Sequence, residues 1–357
     1  MARPPCGPLS DRMNRLNATK GFISTDHCFQ RVSSISVHTT SPIQTRATKP
    51  SPNNSKKRIV SFENLPRMSR QIYNRTINVD GINLFYREAG DEKNPSLLLL
   101  HGFPTSSVVF KNLMIAMSDE YHLIAPDYPG FGFSEFPVPD DFDYTFGNLS
   151  VLLNKFIEAI NLHRFFIFLH DYGAPIGLQL CINHPEKITG IIVQSGNAHR
   201  EGMGPEWDEY IEYWYNPTAK KKEKLIKFLS AEGIKNQYFG GLPEDVLPRV
   251  SPELWMLDWE FLRRPGNIER QFELNCDFKT HLEMFPVYQE YFRKHQPPAL
   301  VMWGKYDIFF SVKEAPCYKR ELPEAQIHIL DGGHDILDTH FDEVLTLIRN
   351  FVKGYET

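Results

Sequence analysis

Three side chains stand where apolar runs stop: Asp171 after RFFIFLH, Asp307 in MWGKYDIFF and His334 in ILDGGHDILD. A carboxylate at the end of a buried strand costs free energy unless it is paired or used. Asp171 immediately precedes a helix opening at Gly173. That is the place of a nucleophile elbow, a strand-to-helix turn that lifts one side chain above the sheet, with the helix N–H groups aimed at whatever forms on it. Carboxylate, carboxylate, imidazole is the chain order of nucleophile, orienting acid and base. Taken alone, Asp307 reads better as the cap of a following helix. Asp171 also admits a second reading, a buried acid paired with His334 in a catalytically idle small-ligand binder. His334 lies near Asp331, Asp335, Asp338 and His340, yet the spacing matches no common metal-ligand pattern.

Elements that could position these groups follow from the pattern. QIYNRTINVDGINLFYREAG (residues 71–90) reads as a hairpin about Asp80-Gly81. SLLLLHG, YHLIAPD, RFFIFLHD, ITGIIVQS and PALVMWG are short apolar runs suited to strands buried on both faces. Helical segments fall near residues 106–117, 145–160 and 173–183, so the chain is expected to form an α/β, doubly wound, mostly parallel sheet. Residues 197–285 hold no strand-like run, only aromatic- and charge-rich helical stretches. They are expected to form an inserted helical cap over the carboxyl ends of the strands, where such sheets bind ligands. The main domain then comprises residues 70–196 and 286–357. Trp207, Ile211 and Trp214 recur at helical spacing and read as the face that packs this cap down, one edge of which could also meet substrate.

Composition limits the alternatives. Residues 1–70 carry twelve Lys and Arg against Asp11, Asp26 and Glu63, so with a whole-chain charge of −5 the remainder carries −14. An acidic body gives no electrostatic reason to bind nucleic acid. Residues 1–69 read as a disordered basic tail, Ser/Thr-rich and punctuated by proline. The protein is expected in the cytoplasm, or in mitochondria if that tail is a transit peptide, and Met68 is an alternative start to Met1. Cys6, Cys28, Cys181, Cys276 and Cys317 are odd in number and show no C-x-x-C spacing, which fits a reducing compartment. No run approaches the roughly 18 apolar residues of a membrane span. The pattern leaves the oligomeric state open.

Four segments in order, HGFP (101–104), DYPGFGFS (127–134), HDYG (170–173) and DGGH (331–334), make the chain from about residue 70 to 352 resemble the α/β-hydrolase superfamily. The resemblance is to the branch holding epoxide hydrolases and haloalkane dehalogenases. It implies a cofactor-independent enzyme with Asp171 as nucleophile, His334 as base and Asp307 as its orienting acid. It also implies an oxyanion hole built from the backbone N–H groups of Phe103 and Tyr172. GFGFS lacks the third glycine of a dinucleotide fingerprint and reads as a structural turn. His101 and His170 read as polar supports.

Chemistry narrows the substrate to a small apolar organic molecule, with water as co-substrate. A carboxylate attacking an sp³ carbon that bears a leaving group forms an alkyl ester, which a His–Asp pair can hydrolyse with water. Attack on an acyl carbonyl would give a high-energy mixed anhydride instead. Neither Ser134 in GFGFS nor Ser195 in VQSGN has a G-x-S-x-G context, which argues against a serine hydrolase. Between epoxide and halide, the resemblance favours the epoxide. Dehalogenases commonly carry Trp after the nucleophile and often Asn after the His-Gly, where this chain has Tyr172 and Phe103. An epoxide needs a proton for its opening oxygen, which the family supplies from lid tyrosines. Of Tyr210, Tyr213, Tyr215 and Tyr238, the expected donors are Tyr213 and Tyr215, which flank Trp214. One departure stands out: Leu169, two residues before Asp171, is large where an elbow calls for a small residue.

Overall fold

The computed structural model describes residues 71–138 and 141–355. The expected tail, its targeting role and the choice between Met1 and Met68 lie outside the described residues. Strands β1 (Ile72–Val79) and β2 (Ile82–Ala89) form the expected hairpin, closing at the Val79–Ile82 pair. Asp80 and Gly81 both adopt positive φ, 53° and 86°, as a tight turn between right-twisted strands demands. β3 (Ser96–Leu100), β4 (His122–Pro126), β5 (Phe165–His170), β6 (Ile188–Gln194), β7 (Ala299–Gly304) and β8 (Gln326–Leu330) complete an eight-stranded sheet. Its order is β1-β2-β4-β3-β5-β6-β7-β8. Only β2 runs against its neighbours, and every pairing from β4 to β8 is parallel.

The strands alternate their side chains between two helical layers, as period-two geometry requires. Leu97, Leu99, Phe166 and Phe168 join the core beneath α1 (Lys111–Met117) and α10 (Phe341–Lys353). Leu98, Leu100, Ile167 and Leu169 join the core beneath α2 (Phe146–Ala159) and α3 (Gly173–Asn183). With both faces covered, the central strands read as continuous apolar runs. The expected helix over residues 106–117 begins as a 3-10 turn, Ser107–Phe110, before α1.

Between β6 and β7 the described chain contains no strand, only 3-10 turns, loops, an isolated bridge from Met203 to Phe310, and five α-helices. These are α4 (Asp208–Tyr215), α5 (Ala219–Ile226), α6 (Ala231–Phe239), α7 (Pro252–Leu262) and the 29-residue α8 (Asn267–His295). Thr218 caps α5 by accepting from Lys221 N, and Ser230 caps α6 by accepting from Gly233 N, each side chain satisfying a helix-start donor. The expected boundary at 285/286 falls inside α8, which continues through Pro286 to His295. An interior proline removes one intrahelical hydrogen bond, and packing of α8 against α2 and α3 holds the helix through it. A short α9 (Ile336–Thr339) follows His334.

Candidate active site

Asp171 occupies the single residue between His170, which ends β5, and Tyr172, which precedes α3, and adopts φ 50°. A non-glycine residue in the left-handed region stores strain that the surroundings must hold. Glycines make the room. A Cβ on Gly102 would overlap the Asp171 side chain, and one on Gly173 would overlap the Leu100 carbonyl. Gly177, one turn into α3, accounts for Leu169, because a Cβ there would overlap the Leu169 methyl Cδ2. The small residue missing before Asp171 thus appears on the opposing helix.

Asp171, Asp307 and His334 come together, all buried. The Phe103 N–H donates to Asp171 Oδ1 at 2.6 Å, and the Tyr172 N–H also supports this carboxylate. His334 Nε2 lies 3.8 Å from Asp171 Oδ2, too far for a hydrogen bond, and has no other partner among the described residues. His334 Nδ1 sits 2.9 Å from Asp307 Oδ2. The second oxygen of Asp307 accepts from Phe309 N and Phe310 N, each at 2.9 Å, so this acid is fixed through both oxygens. Asp307 orients the imidazole and braces its own turn but caps no helix, since the next helical turn, Val312–Arg320, is capped by Ser311.

Burial pushes the Asp171 carboxyl up to about 6, against the opposing pull of His334 and the two N–H groups. For His334 burial works downward, but the charges of Asp307 and then Asp171 prevail and raise it to about 9. The pair therefore rests at neutral pH as carboxylate and imidazolium. His101 and His170 are pushed down to about 3 by burial and stay neutral, each with Nδ1 against a backbone carbonyl. Within DYPGFGFS, Asp127 accepts from Ser107 N and Phe133 N, while Ser134 Oγ donates to the Asp127 carbonyl. The glycine-rich turn wraps an internal carboxylate, which leaves no opening for a phosphate. Among the described residues no group of three or more metal-ligating side chains converges.

Asp171 opens onto a narrow, partly open cavity. Its walls come from Phe103 and Tyr172 below and from the helical insertion above, including Trp207, Tyr210 and Gln237. A larger hollow of about 720 Å³ lies around Glu88, His122 and Arg164. Ser96 and Phe166, which line it, stand at the N-terminal ends of β3 and β5, the end of the sheet away from Asp171.

The tyrosine expectation requires correction. Tyr215 is 73% exposed, with Lys279 Nζ 4.7 Å from its ring centre. Tyr213 is buried edge-on against Phe272, and neither borders the cavity. Tyr238 donates its hydroxyl to Asp258 and does not border it either. Tyr210 does, and its hydroxyl forms no hydrogen bond with a described residue. Helix phase explains the difference: at 100° per residue, Tyr215 lies about 140° around α4 from Tyr210. Trp207, three residues earlier, stacks on Phe278 of α8 at 4.2 Å and borders the cavity as well. Its indole N–H is buried with no partner among the described residues. The three-residue spacing from Trp207 points to Tyr210 only once the docking of Trp207 on Phe278 is known. Gln237 and Asn275, whose Oδ1 accepts from the Tyr172 hydroxyl at 2.6 Å, carried no sequence signal.

The sequence profile of the family described as alpha/beta hydrolase fold matches residues 95–341. An uncharacterized hydrolase of Saccharomyces cerevisiae is 36% identical over 265 residues, covering 73% of this chain and 90% of that protein. A cis-3-alkyl-4-alkyloxetan-2-one decarboxylase of Shewanella oneidensis is 26% identical, over 78% of this chain and 87% of its own. Epoxide hydrolase 3 of Xenopus tropicalis is 25% identical, over 76% and 75%.

Proposed function

The chain belongs to the alpha/beta hydrolase family, and from that membership we propose that it opens small epoxides to diols through an alkyl ester on Asp171. The observation that carries the reading is the group at the elbow: a buried carboxylate with a backbone N–H on one oxygen and an imidazole beyond the other. The names of two relatives denote strained cyclic C–O compounds, an epoxide and an oxetanone, and such rings present the sp³ carbon that a carboxylate can attack.

Asp171 Oδ2 forms a bond to an epoxide carbon while the ring C–O bond breaks, and the alkoxide takes the Tyr210 proton. Burial holds the Tyr210 phenol above its ordinary value, so it stays protonated until an alkoxide needs it. Esterification removes the Asp171 charge, one of those that hold the proton on His334. His334 then releases its proton to the Tyr210 phenolate and becomes a neutral base. Water, deprotonated by His334 Nε2, attacks the ester carbonyl carbon. The Phe103 and Tyr172 N–H groups hold the oxyanion, each such donor being worth about 3 kcal/mol. Collapse expels the diol, whose oxygen takes the proton back from His334.

The test is single turnover of an epoxide in oxygen-18 water, followed by mass analysis of the Asp171 peptide. Label enters the Asp171 carboxylate if the ester forms, and His334→Gln accumulates the adduct. An unlabelled carboxylate with product formed would overturn the mechanism, and a binder on this fold would give neither product nor adduct. The unpartnered indole N–H of Trp207 favours a second reading, dehalogenation of a haloalkane with that donor on the halide. Halide release in place of diol formation separates the two.

A further inference from the structure

Around the reacting carboxylate the cavity has an uneven charge. Its lining includes a second carboxylate, Glu206, and no Lys, Arg or His. Glu206 lies in the 3-10 turn Pro205–Trp207 that leads into α4. The next two glutamates along this segment are neutralised on the outer surface, Glu209 by Lys224 and Glu212 by Lys221. Glu206 has no ion pair or hydrogen bond with any described residue, and the Gln237 amide beside the same cavity has none either. The remaining walls are largely aromatic, including Trp207, Tyr210, Phe228 and Phe309.

These three features suit one kind of group. A carboxylate without a partner beside apolar walls is stabilised by a positive charge. Aromatic faces attract cations through the ring quadrupole, more strongly as water is excluded. An amide oxygen turns the negative end of a dipole toward a cation. An anionic substrate would meet both Asp171 and Glu206, with the His334 imidazolium already committed between Asp171 and Asp307. We infer that Glu206 sets the charge specificity of this cavity, which accepts a compact epoxide bearing an ammonium group and rejects one bearing a carboxylate. The inference deepens the epoxide reading and rests on it for the reacting end of the molecule. The cationic end stands on Glu206, Gln237 and the aromatic walls.

Three epoxides of one skeleton and different charge test it: glycidyltrimethylammonium, glycidol and glycidate. With the full chain, kcat/KM is expected to fall in that order, with about tenfold between successive members at low salt and a smaller spread at high salt. Glu206→Gln should compress the cation-to-anion ratio about tenfold, and Glu206→Lys should invert the order. Tetramethylammonium, followed by tryptophan fluorescence, reads the cation site without any turnover. It should bind the wild-type chain, and Glu206→Gln should weaken that binding about tenfold. If glycidol is opened but charge makes no difference, or glycidate is preferred, the charge inference is wrong and the epoxide reading survives. If tetramethylammonium binding depends on Glu206 while none of the three epoxides is opened, the epoxide reading is wrong and the cation site survives. Failure of both measurements overturns both.

Discussion

Replacing Asp171 by Asn should make the protein more stable while abolishing turnover. The carboxylate is buried in a site that favours its neutral form: its folded value is about 6 against an ordinary 3.8. The gap corresponds to about 3 kcal/mol at pH 7.5. This is an upper figure, since an amide matches the N–H groups of Phe103 and Tyr172 less well than a protonated carboxyl. A gain of about 1–3 kcal/mol is therefore expected. The pH dependence distinguishes a charge effect from a packing effect. Because the folded value lies above the unfolded one, the penalty is absent below about 3.8, grows between about 3.8 and 6, and is complete above that. The stability of Asp171→Asn relative to wild type should therefore shrink toward zero between pH 6 and pH 4. Urea unfolding at pH 7.5, 6 and 4 measures it, provided both proteins unfold in two states. A variant less stable than wild type at pH 7.5, or a difference independent of pH, would refute the claim that this site stores the cost of a buried charge for use in attack.

Other outcomes follow from the same geometry. Tyr210→Phe should lower kcat on an epoxide by about 10²–10⁴-fold, whereas Tyr215→Phe should change it less than about threefold, because that ring faces solvent; steady-state kinetics on the two variants decides. The profile of kcat/KM against pH should rise through about 6 as Asp171 ionises, because attack needs the carboxylate. In Asp307→Asn the His334 imidazole should titrate below about 9, because Asp307 supplies the largest of the charges that hold its proton, and an NMR titration of that ring measures the shift. Gly177→Ala should cost about 1–3 kcal/mol through overlap with Leu169 and Leu100. Leu169→Ala introduced beside it should recover part of that loss, a coupling that a double-mutant cycle of unfolding free energies measures.

The residues that were legible in the sequence are those whose roles depend on local backbone. Asp80-Gly81 specified a turn because both residues tolerate positive φ. The runs behind Asp171 and Asp307 specified buried strands because only such strands are apolar at every position, whereas the edge strand before His334, Gln326–Leu330, is only partly buried and carries Gln326 and His328. Asp171 was findable because an elbow is a strand, one residue and a helix start, all contiguous. Leu169 looked like a departure because its compensating partner, Gly177, lies across the strand–helix packing, a pairing the linear order does not display.

The lid shows where local reasoning stops. Sharing a segment with Trp214 was not sufficient to aim Tyr213 or Tyr215, because a helix distributes neighbouring side chains around its axis, and which face meets the sheet is fixed by docking. Only the seating of α4 against α8, with Trp207 on Phe278, brings Tyr210 to the wall of the cavity and leaves Tyr215 in solvent. The sequence by itself determined the order of strands and helices, the placing of a carboxylate at the strand–helix elbow and the absence of a serine elbow, since these depend on residue type and short-range geometry. The tertiary structure alone decided the distance from His334 to Asp171, the size of the cavity, and which tyrosine and which glutamate border it. Those depend on how separate elements approach one another, and packing fixes that approach.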